Sequence, residues 1–318
     1  MTAHSSDTTD TILTEVRAGT GTITLNRPKA LNSLDYDMIR AIDSTLRRWA
    51  TDDSVERVEV RSNSKHFCSG GDVKLARAEI LAGNEETVDE FFAHEYAMNL
   101  FIAEYPKPYA AYASGVVMGG GMGISAIGQR FVVAEDAFAS MPEMNIGYIT
   151  DVGMSWKLQH LPGRDSTNLG KFLGLTGYRM TPADMVTLGL ASVEEGLSRD
   201  DAPLAPHLDH IEETFGGSWA EIQERLAGAT GELGEFAQLV AKLTAQASPS
   251  ALVAAAELFE ANATQDLAGA LENERRLGEV IRREPDFVEG VRAVLVDKDQ
   301  TPHFAPQQDP EKYRAVLS

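Results

Sequence analysis

The run YAAYASGVVMGGGMGISAIG, residues 109–128, decides how this chain is read. It carries no charge and is long enough to pose the question of a membrane-spanning helix, which needs about 20 apolar residues. It also holds six glycines, three of them consecutive at Gly119 to Gly121. Each glycine weakens a helix by roughly 0.8–1.0 kcal/mol relative to alanine. A buried strand running into a glycine-rich turn and then a helix fits these residues far better than a lone apolar helix. The membrane reading is set aside, and the chain is expected to be soluble.

The flanking sequence supports that choice. Gly21 to Leu25 alternates, with Ile23 and Leu25 on one face, and an Asn26-Arg27-Pro28 turn follows. Leu34, Met38, Ile42, Leu46 and Trp49 recur every three or four residues, predicting an amphipathic helix that Ser33 could cap. Further strands are predicted at Val55 to Arg61, Tyr109 to Val117, and Val132-Val133, so strands alternate with helices in an α/β core. Thr181-Pro182 reads as the N-cap and first residue of a short helix ending near Gly189. Helices follow at Trp219 to Leu226, Phe236 to Leu243 and Ala251 to Arg283, the last started by Ser248-Pro249 and ended by Pro285. The expected organisation is a disordered polar segment at 1–10, a core at 11–197 and a helical region at 198–318, with the change near 194–210.

Composition excludes several classes. With 28 basic against 48 acidic residues among 318, the formal net charge is −20, a field that repels nucleic acid and anionic membrane alike. A polyanionic ligand can bind only where local donors override that field. The single cysteine, Cys68, allows neither an internal disulfide nor a thiolate metal cluster, and with Phe67 beside it reads as a small buried residue. Seven histidines form no HExxH pair, and there is no GxSxG elbow, so neither a zinc protease nor a serine hydrolase is expected. Residues 1–10 lack a basic stretch and an apolar run, so a cytoplasmic location is expected.

Three motifs could carry chemistry. HFCSGGDVK (66–74) follows a strand, and Gly70-Gly71 lets backbone approach a ligand closely, so that the Gly71 N–H could point into a site. An ordinary strand-to-helix turn with Asp72 as cap explains the same residues. GVVMGGGMGIS (115–125) again joins strand to helix, but its spacing fits neither the dinucleotide fingerprint nor a phosphate loop. Close helix–sheet packing is the plain explanation; one amide from each glycine turn would alternatively make an oxyanion hole. MPEMNIGYITDVG (141–153) places Glu143 after a proline and between methionines, surroundings that raise a carboxyl pKa and suit a base or nucleophile. A surface glutamate, and Asp151 as a helix cap, are the competing readings.

Together, LNRPKALNSL (25–34), HFCSGGDVK (66–74), EYPKPYAA (104–111), GVVMGGGMGIS (115–125), MPEMNIGYITDVG (141–153) and LTGYRMTPADMVTLGLAS (175–192) resemble the crotonase, or enoyl-CoA hydratase/isomerase, superfamily. The tail segment DFVEGVRAVLVDKDQTP (286–302) is similar to its 3-hydroxyisobutyryl-CoA hydrolase branch. The resemblance implies a spiral of ββα units with a helical C-terminal region. It implies that Gly71 and Gly120 donate their N–H groups to a thioester oxygen, with Glu143 as the catalytic carboxylate and Asp151 supporting it. Coenzyme A would run along Lys29, Ala30 and Leu31 and the loop of His66, Ser69, Gly70, Asp72, Val73 and Lys74, with Gly119 beside the carbonyl; Lys29, Lys65 and Lys74 are candidate cations. Coenzyme A is then part of the substrate, with no separate cofactor and no metal, and the superfamily often forms homo-oligomers.

In hydratases of this superfamily a second glutamate falls where this chain has Gly123, so hydration by a glutamate pair is put in doubt. Tyr148-Ile149-Thr150 and Met154 also depart from the hydrolase pattern, near where the acyl group would sit. The expected activity is hydrolysis of a short 3-hydroxyacyl-CoA, a step of valine-catabolism type. The rivals are hydration or isomerisation of an unsaturated acyl-CoA, and acyl-CoA binding without turnover.

Overall fold

The computed structural model describes residues 11–162, 164–193, 202–307 and 309–318. The expected disordered segment 1–10 lies outside these residues, as does 194–201 of the expected domain junction.

A sheet of six strands forms the first layer. Strands β1 (Ile12–Arg17) and β2 (Thr20–Leu25) make an antiparallel hairpin, turned by Ala18 and Gly19 at positive φ. Then come β3 (Arg57–Ser62), β4 (Tyr109–Ala113), β5 (Val116–Met118), β6 (Arg130–Val133), β7 (Phe138–Ser140), the small hairpin β8 (His160–Leu161) and β9 (Arg164–Asp165), and β10 (Ser192–Val193). The sheet runs β1-β2-β3-β4-β6-β10, parallel from β2 onward.

A second layer is made by the segments that follow each sheet strand. Leu34 bridges Gly71, Cys68 bridges Val117, β5 pairs with β7, and Ala139 bridges Met180. Successive turns of chain therefore stack one residue pair on the next. Between them lie α1 (Tyr36–Ala50), α2 (Val73–Leu81), α3 (Glu85–Ala103), α4 (Gly120–Gly123), α5 (Met154–Lys157), α6 (Thr167–Thr176) and α7 (Pro182–Thr187). Strand, second strand, helix: this is the expected ββα spiral.

The C-terminal region is helical, with α8 (Leu208–Thr214), α9 (Trp219–Leu226), α10 (Gly231–Leu243), α11 (Pro249–Asn262), α12 (Leu267–Arg282), α13 (Pro285–Val291) and α14 (Pro310–Arg314). These helices close over the spiral: α11 packs on α6, α12 on α3 and α5, and α13 on α2. One buried apolar cluster runs from Ile23 in β2 to Tyr313 in α14. Removing that much apolar surface from water is the main force holding spiral and helices together.

Several local expectations need correction. The long uncharged run is split at Ser114-Gly115 into β4 and β5, because Gly115 turns at φ 58° and a Cβ there would lie 2.4 Å from His66 Nδ1. Among the described residues, no helix is long and apolar enough to cross a membrane. Helix α1 is capped by Asp35, whose side chain accepts from the Met38 amide, and not by Ser33, whose hydroxyl accepts from Arg27. The predicted helix from 251 to 283 is two helices, because Asp266 caps a new start by accepting from the Gly269 amide. Pro285 begins α13 rather than merely ending α12, since proline lacks only an N–H that a first helical turn leaves unused. At α7 Thr181 is the N-cap and Pro182 the first helical residue as read, and Asp184 completes a capping box with Thr181.

Candidate active site

The two glycine turns lie side by side. Cys68 fixes them: its amide donates to the Val116 carbonyl at 3.0 Å, and its carbonyl accepts from the Met118 amide at 3.0 Å. Its thiol donates to the Asn32 carbonyl and is fully buried, so the pKa is pushed up to about 12 and no thiolate nucleophile is available. Gly70 adopts φ 107°, which only glycine takes without strain, and a Cβ on it would press on the Met118 carbonyl at 3.3 Å. This close crossing brings the amides of Gly71 and Gly120 together, a Cβ built on Gly120 lying 3.3 Å from the Gly71 nitrogen. Among the described residues neither amide donates to a protein acceptor.

Carboxyl groups surround this crossing. Glu143 opens the 3₁₀ turn Glu143–Ile146, and its Oε1 would sit 2.9 Å from a Cβ on Gly119. Its side chain is buried, and Oε2 has no hydrogen-bond partner. Burial, then the charge of Asp151, raises its pKa well above the ordinary glutamate range. Asp151 is buried too. Burial raises its carboxyl to about 7, despite the Tyr96 hydroxyl that donates to Oδ2 at 2.7 Å.

Sequence reasoning missed a third acid. Glu95 of α3 is 2% exposed and aims Oε1 at the Gly120 α-carbon, 2.5 Å from where a Cβ would stand. That oxygen has no partner, and burial holds the carboxyl at about 8. A neutral carboxyl of this kind can both donate to and accept from a ligand hydroxyl. A fourth, Glu274 of α12, is held at about 8 by burial and accepts from the amides of Gly153 and Ser155. It secures the loop in which Val152, a β-branched residue, is forced to φ 53° directly after Asp151.

The remaining predicted residues divide into two sets. Lys29 and Ala30 lie in the 3₁₀ turn Pro28–Ala30, and the carbonyl of Leu31, its C-cap, accepts from the Ser69 amide, so this turn and the 66–74 loop edge the same crossing. Lys29, Lys65 and Lys74 are exposed, as coenzyme phosphates would need, and Val73 starts α2. His66 and Asp72 have structural partners: His66 Nδ1 accepts from the Val116 amide, and Asp72 pairs with Arg27 at 2.8 Å. Asn32, also missed, is fully buried and ties the two edges through the carbonyls of His66 and Phe67.

Gly123 is packed shut. A Cβ there would be 2.7 Å from Val152 Cβ and 2.8 Å from Asn99 Nδ2, which donates to the Gly123 carbonyl. No side chain reaches the crossing from that position without moving its neighbours. Among the described residues no cluster of three or more His, Cys, Asp or Glu side chains is arranged to hold a metal ion.

The enoyl-CoA hydratase/isomerase family model matches residues 20–195 and 192–315. The chain belongs to this family. Among its relatives it is similar to the protein named 3-hydroxyisobutyryl-CoA hydrolase, mitochondrial, of Danio rerio, 36% identical over 93% of this chain and 85% of that protein. The Homo sapiens protein of that name is 32% identical over 96% and 86%. Among solved structures it is similar to an enoyl-CoA hydratase from Rhodobacter sphaeroides 2.4.1, with TM-score 0.86 and 33% identity across 97% of both chains. A carnitinyl-CoA dehydratase from Mycobacterium thermoresistibile gives TM-score 0.83 and 32% identity across 97% of both chains. The family match takes in the C-terminal helices as well as the spiral.

Proposed function

We propose that this protein hydrolyses a short 3-hydroxyacyl-CoA thioester, of the 3-hydroxyisobutyryl-CoA type, to the hydroxy acid and free coenzyme A. One observation carries the reading: two amides without acceptors among the described residues and the buried Glu143 carboxyl, whose Oε2 has no partner, meet at one crossing of the chain. The names of the relatives support the choice of thioester.

In this reading the thioester oxygen accepts from Gly71 and Gly120. Glu143 drives addition at the carbonyl carbon, by direct attack through an anhydride or by taking a proton from water. The tetrahedral oxyanion is held by the two amides. Its collapse breaks the C–S bond; the thiolate leaves and takes up a proton from the Glu143–Asp151 pair. One water is consumed: one of its hydrogens makes good the proton given to sulfur, and the other stays with its oxygen on the hydroxy acid. Buried carboxyls that raise each other behave as one unit, so the competent form is the singly protonated pair. Glu95 faces the acyl side and bonds the 3-hydroxyl.

Hydration of an unsaturated acyl-CoA is disfavoured by the closed packing at Gly123. Thiol release from a panel of short hydroxyacyl-CoAs tests the proposal, with crotonyl-CoA absorbance measured alongside. Hydrolysis predicts thiol appearing with loss of the acyl-CoA, and Glu143→Gln abolishing it. Bleaching of crotonyl-CoA without thiol would make the protein a hydratase. Tight coenzyme A binding with no turnover would make it a binding protein. Single-turnover hydrolysis in ¹⁸O water separates the two routes, since label in Glu143 marks the anhydride.

A further inference from the structure

We propose that Arg282 is a positioning residue for the reaction, acting through Tyr148 and Tyr96 on Asp151 to stabilise the one negative charge that the singly protonated Glu143–Asp151 pair carries. This rests on the reading of Glu143 and Asp151 given above. Arg282 lies on α12 with its side chain 2% exposed. A buried guanidinium is costly unless it is paired and fully bonded. Here the pairing is partial. Its Nη2 donates to Asp89 at 2.8 Å, but Asp89 is partly exposed and also serves Arg283, and Arg282 Nε has no partner.

The remaining nitrogen is used differently. Arg282 Nη1 donates to the Tyr148 hydroxyl at 2.6 Å, that hydroxyl is 3.0 Å from the Tyr96 hydroxyl, and Tyr96 donates to Asp151 Oδ2 at 2.7 Å. The proton order is fixed by chemistry. Arginine only donates, so the Tyr148 oxygen accepts; the Tyr96 hydrogen is committed to the carboxylate, so Tyr148 donates to the Tyr96 oxygen. Every bond points the same way, positive end at Arg282 and negative end at Asp151, and such chains polarise cooperatively. The guanidinium also lies over the Phe92 ring at 4.2 Å and the Tyr148 ring at 5.7 Å, which fixes its place without neutralising it.

The charges around Asp151 make the arrangement necessary. Glu143 on its own segment, Glu95 on α3 and Glu274 on α12 are acids that repel a charge on Asp151 or are repelled by it. Arg282 is the cation that favours it. Four buried acids facing one cation at the far end of a hydroxyl chain leave one member of the group as the anion.

The test uses Tyr148→Phe, Arg282→Met and Asp89→Asn in the full chain. Two quantities are read against pH: kcat/KM for thiol release, and the Asp151 carboxyl ¹³C shift in protein labelled at aspartate, assigned with Asp151→Asn. Tyr148→Phe and Arg282→Met should move the acid limb and the Asp151 titration to higher pH, by on the order of one unit. Asp89→Asn should move both to lower pH, because the guanidinium loses its competing anion. Damage to packing alone lowers the plateau without moving the limb. An unmoved titration in Tyr148→Phe, or Asp89→Asn shifting the same way as Arg282→Met, overturns the proposal. If Arg282→Met does not fold, the other two variants decide it. The carbon shift is independent of turnover, so a protein that releases no thiol still tests this inference separately from the proposed activity.

Discussion

Gly120→Ala separates catalysis from folding with one methyl group. Gly120 begins α4 and is not among the positive-φ glycines, so alanine suits its backbone. Alanine should also gain about 0.5–1 kcal/mol from reduced chain entropy in the unfolded state. The new Cβ would stand 2.5 Å from Glu95 Oε1, 3.2 Å from Leu34 Cδ1 and 3.3 Å from the Gly71 nitrogen. The Glu95 carboxyl is the mobile member and is displaced; the Gly71 amide cannot move, because the bridge to Leu34 holds its loop. The methyl group therefore enters the space assigned to the thioester oxygen. Loss of one oxyanion donor typically costs about 100- to 1000-fold in rate, and a blocked pair should cost at least that much. Stability gained and lost roughly cancel, leaving Tm within about 4 °C of the wild type. Stopped-flow thiol release gives the rate and calorimetry the Tm. A variant with wild-type Tm and a kcat within about threefold of wild type would refute the placement of the carbonyl.

The other predictions concern charge and packing. Glu95 and Glu274 are held at about 8 against an ordinary 4.5, so the folded state binds protons that the unfolded chain has released. Their contribution to stability is full below about 4.5 and is lost as pH rises through 8, at about 1.4 kcal/mol per pH unit for each group inside that window. Urea midpoints in Glu95→Gln should depend less on pH between 5 and 8 than those of the wild type; an unchanged slope would contradict the burial argument. Gly123→Glu should not create a hydratase but should lower Tm, because its Cβ meets Val152 and Asn99; crotonyl-CoA absorbance and calorimetry check both halves. Glu274→Ala leaves the buried amides of Gly153 and Ser155 without their acceptor, a loss of about 3 kcal/mol in denaturant titration.

What could be read in the sequence was what short-range chemistry specifies. The glycine turns at 70–71 and 119–121 stand out because Gly70 and Gly119 take positive φ and a Cβ on Gly121 would press on Cys68, and the structure brings them together with Glu143 and Asp151. Glu95 was not legible. In sequence it is one more acid in the helix segment EETVDEFFAHEY, and only the meeting of α3 with Gly120 turns it inward. The available signal was weak: Phe92 and Asn99 lie three and four positions away, so Glu95 shares a face with buried residues. Arg282 and Glu274 were hidden for the same reason, being 119 to 134 residues from the partners they serve. Asp72 and His66 were read as ligand contacts from the family resemblance; in the structure Asp72 pairs with Arg27 and His66 Nδ1 accepts from the Val116 amide.

The most direct measurement is a crystal structure of Glu143→Gln soaked with 3-hydroxyisobutyryl-CoA. The account predicts the thioester oxygen within about 3.1 Å of both the Gly71 and Gly120 nitrogens, with residue 143 against the carbonyl carbon. A thioester bound with its oxygen turned away from either amide, or with its carbon out of reach of residue 143, would contradict it.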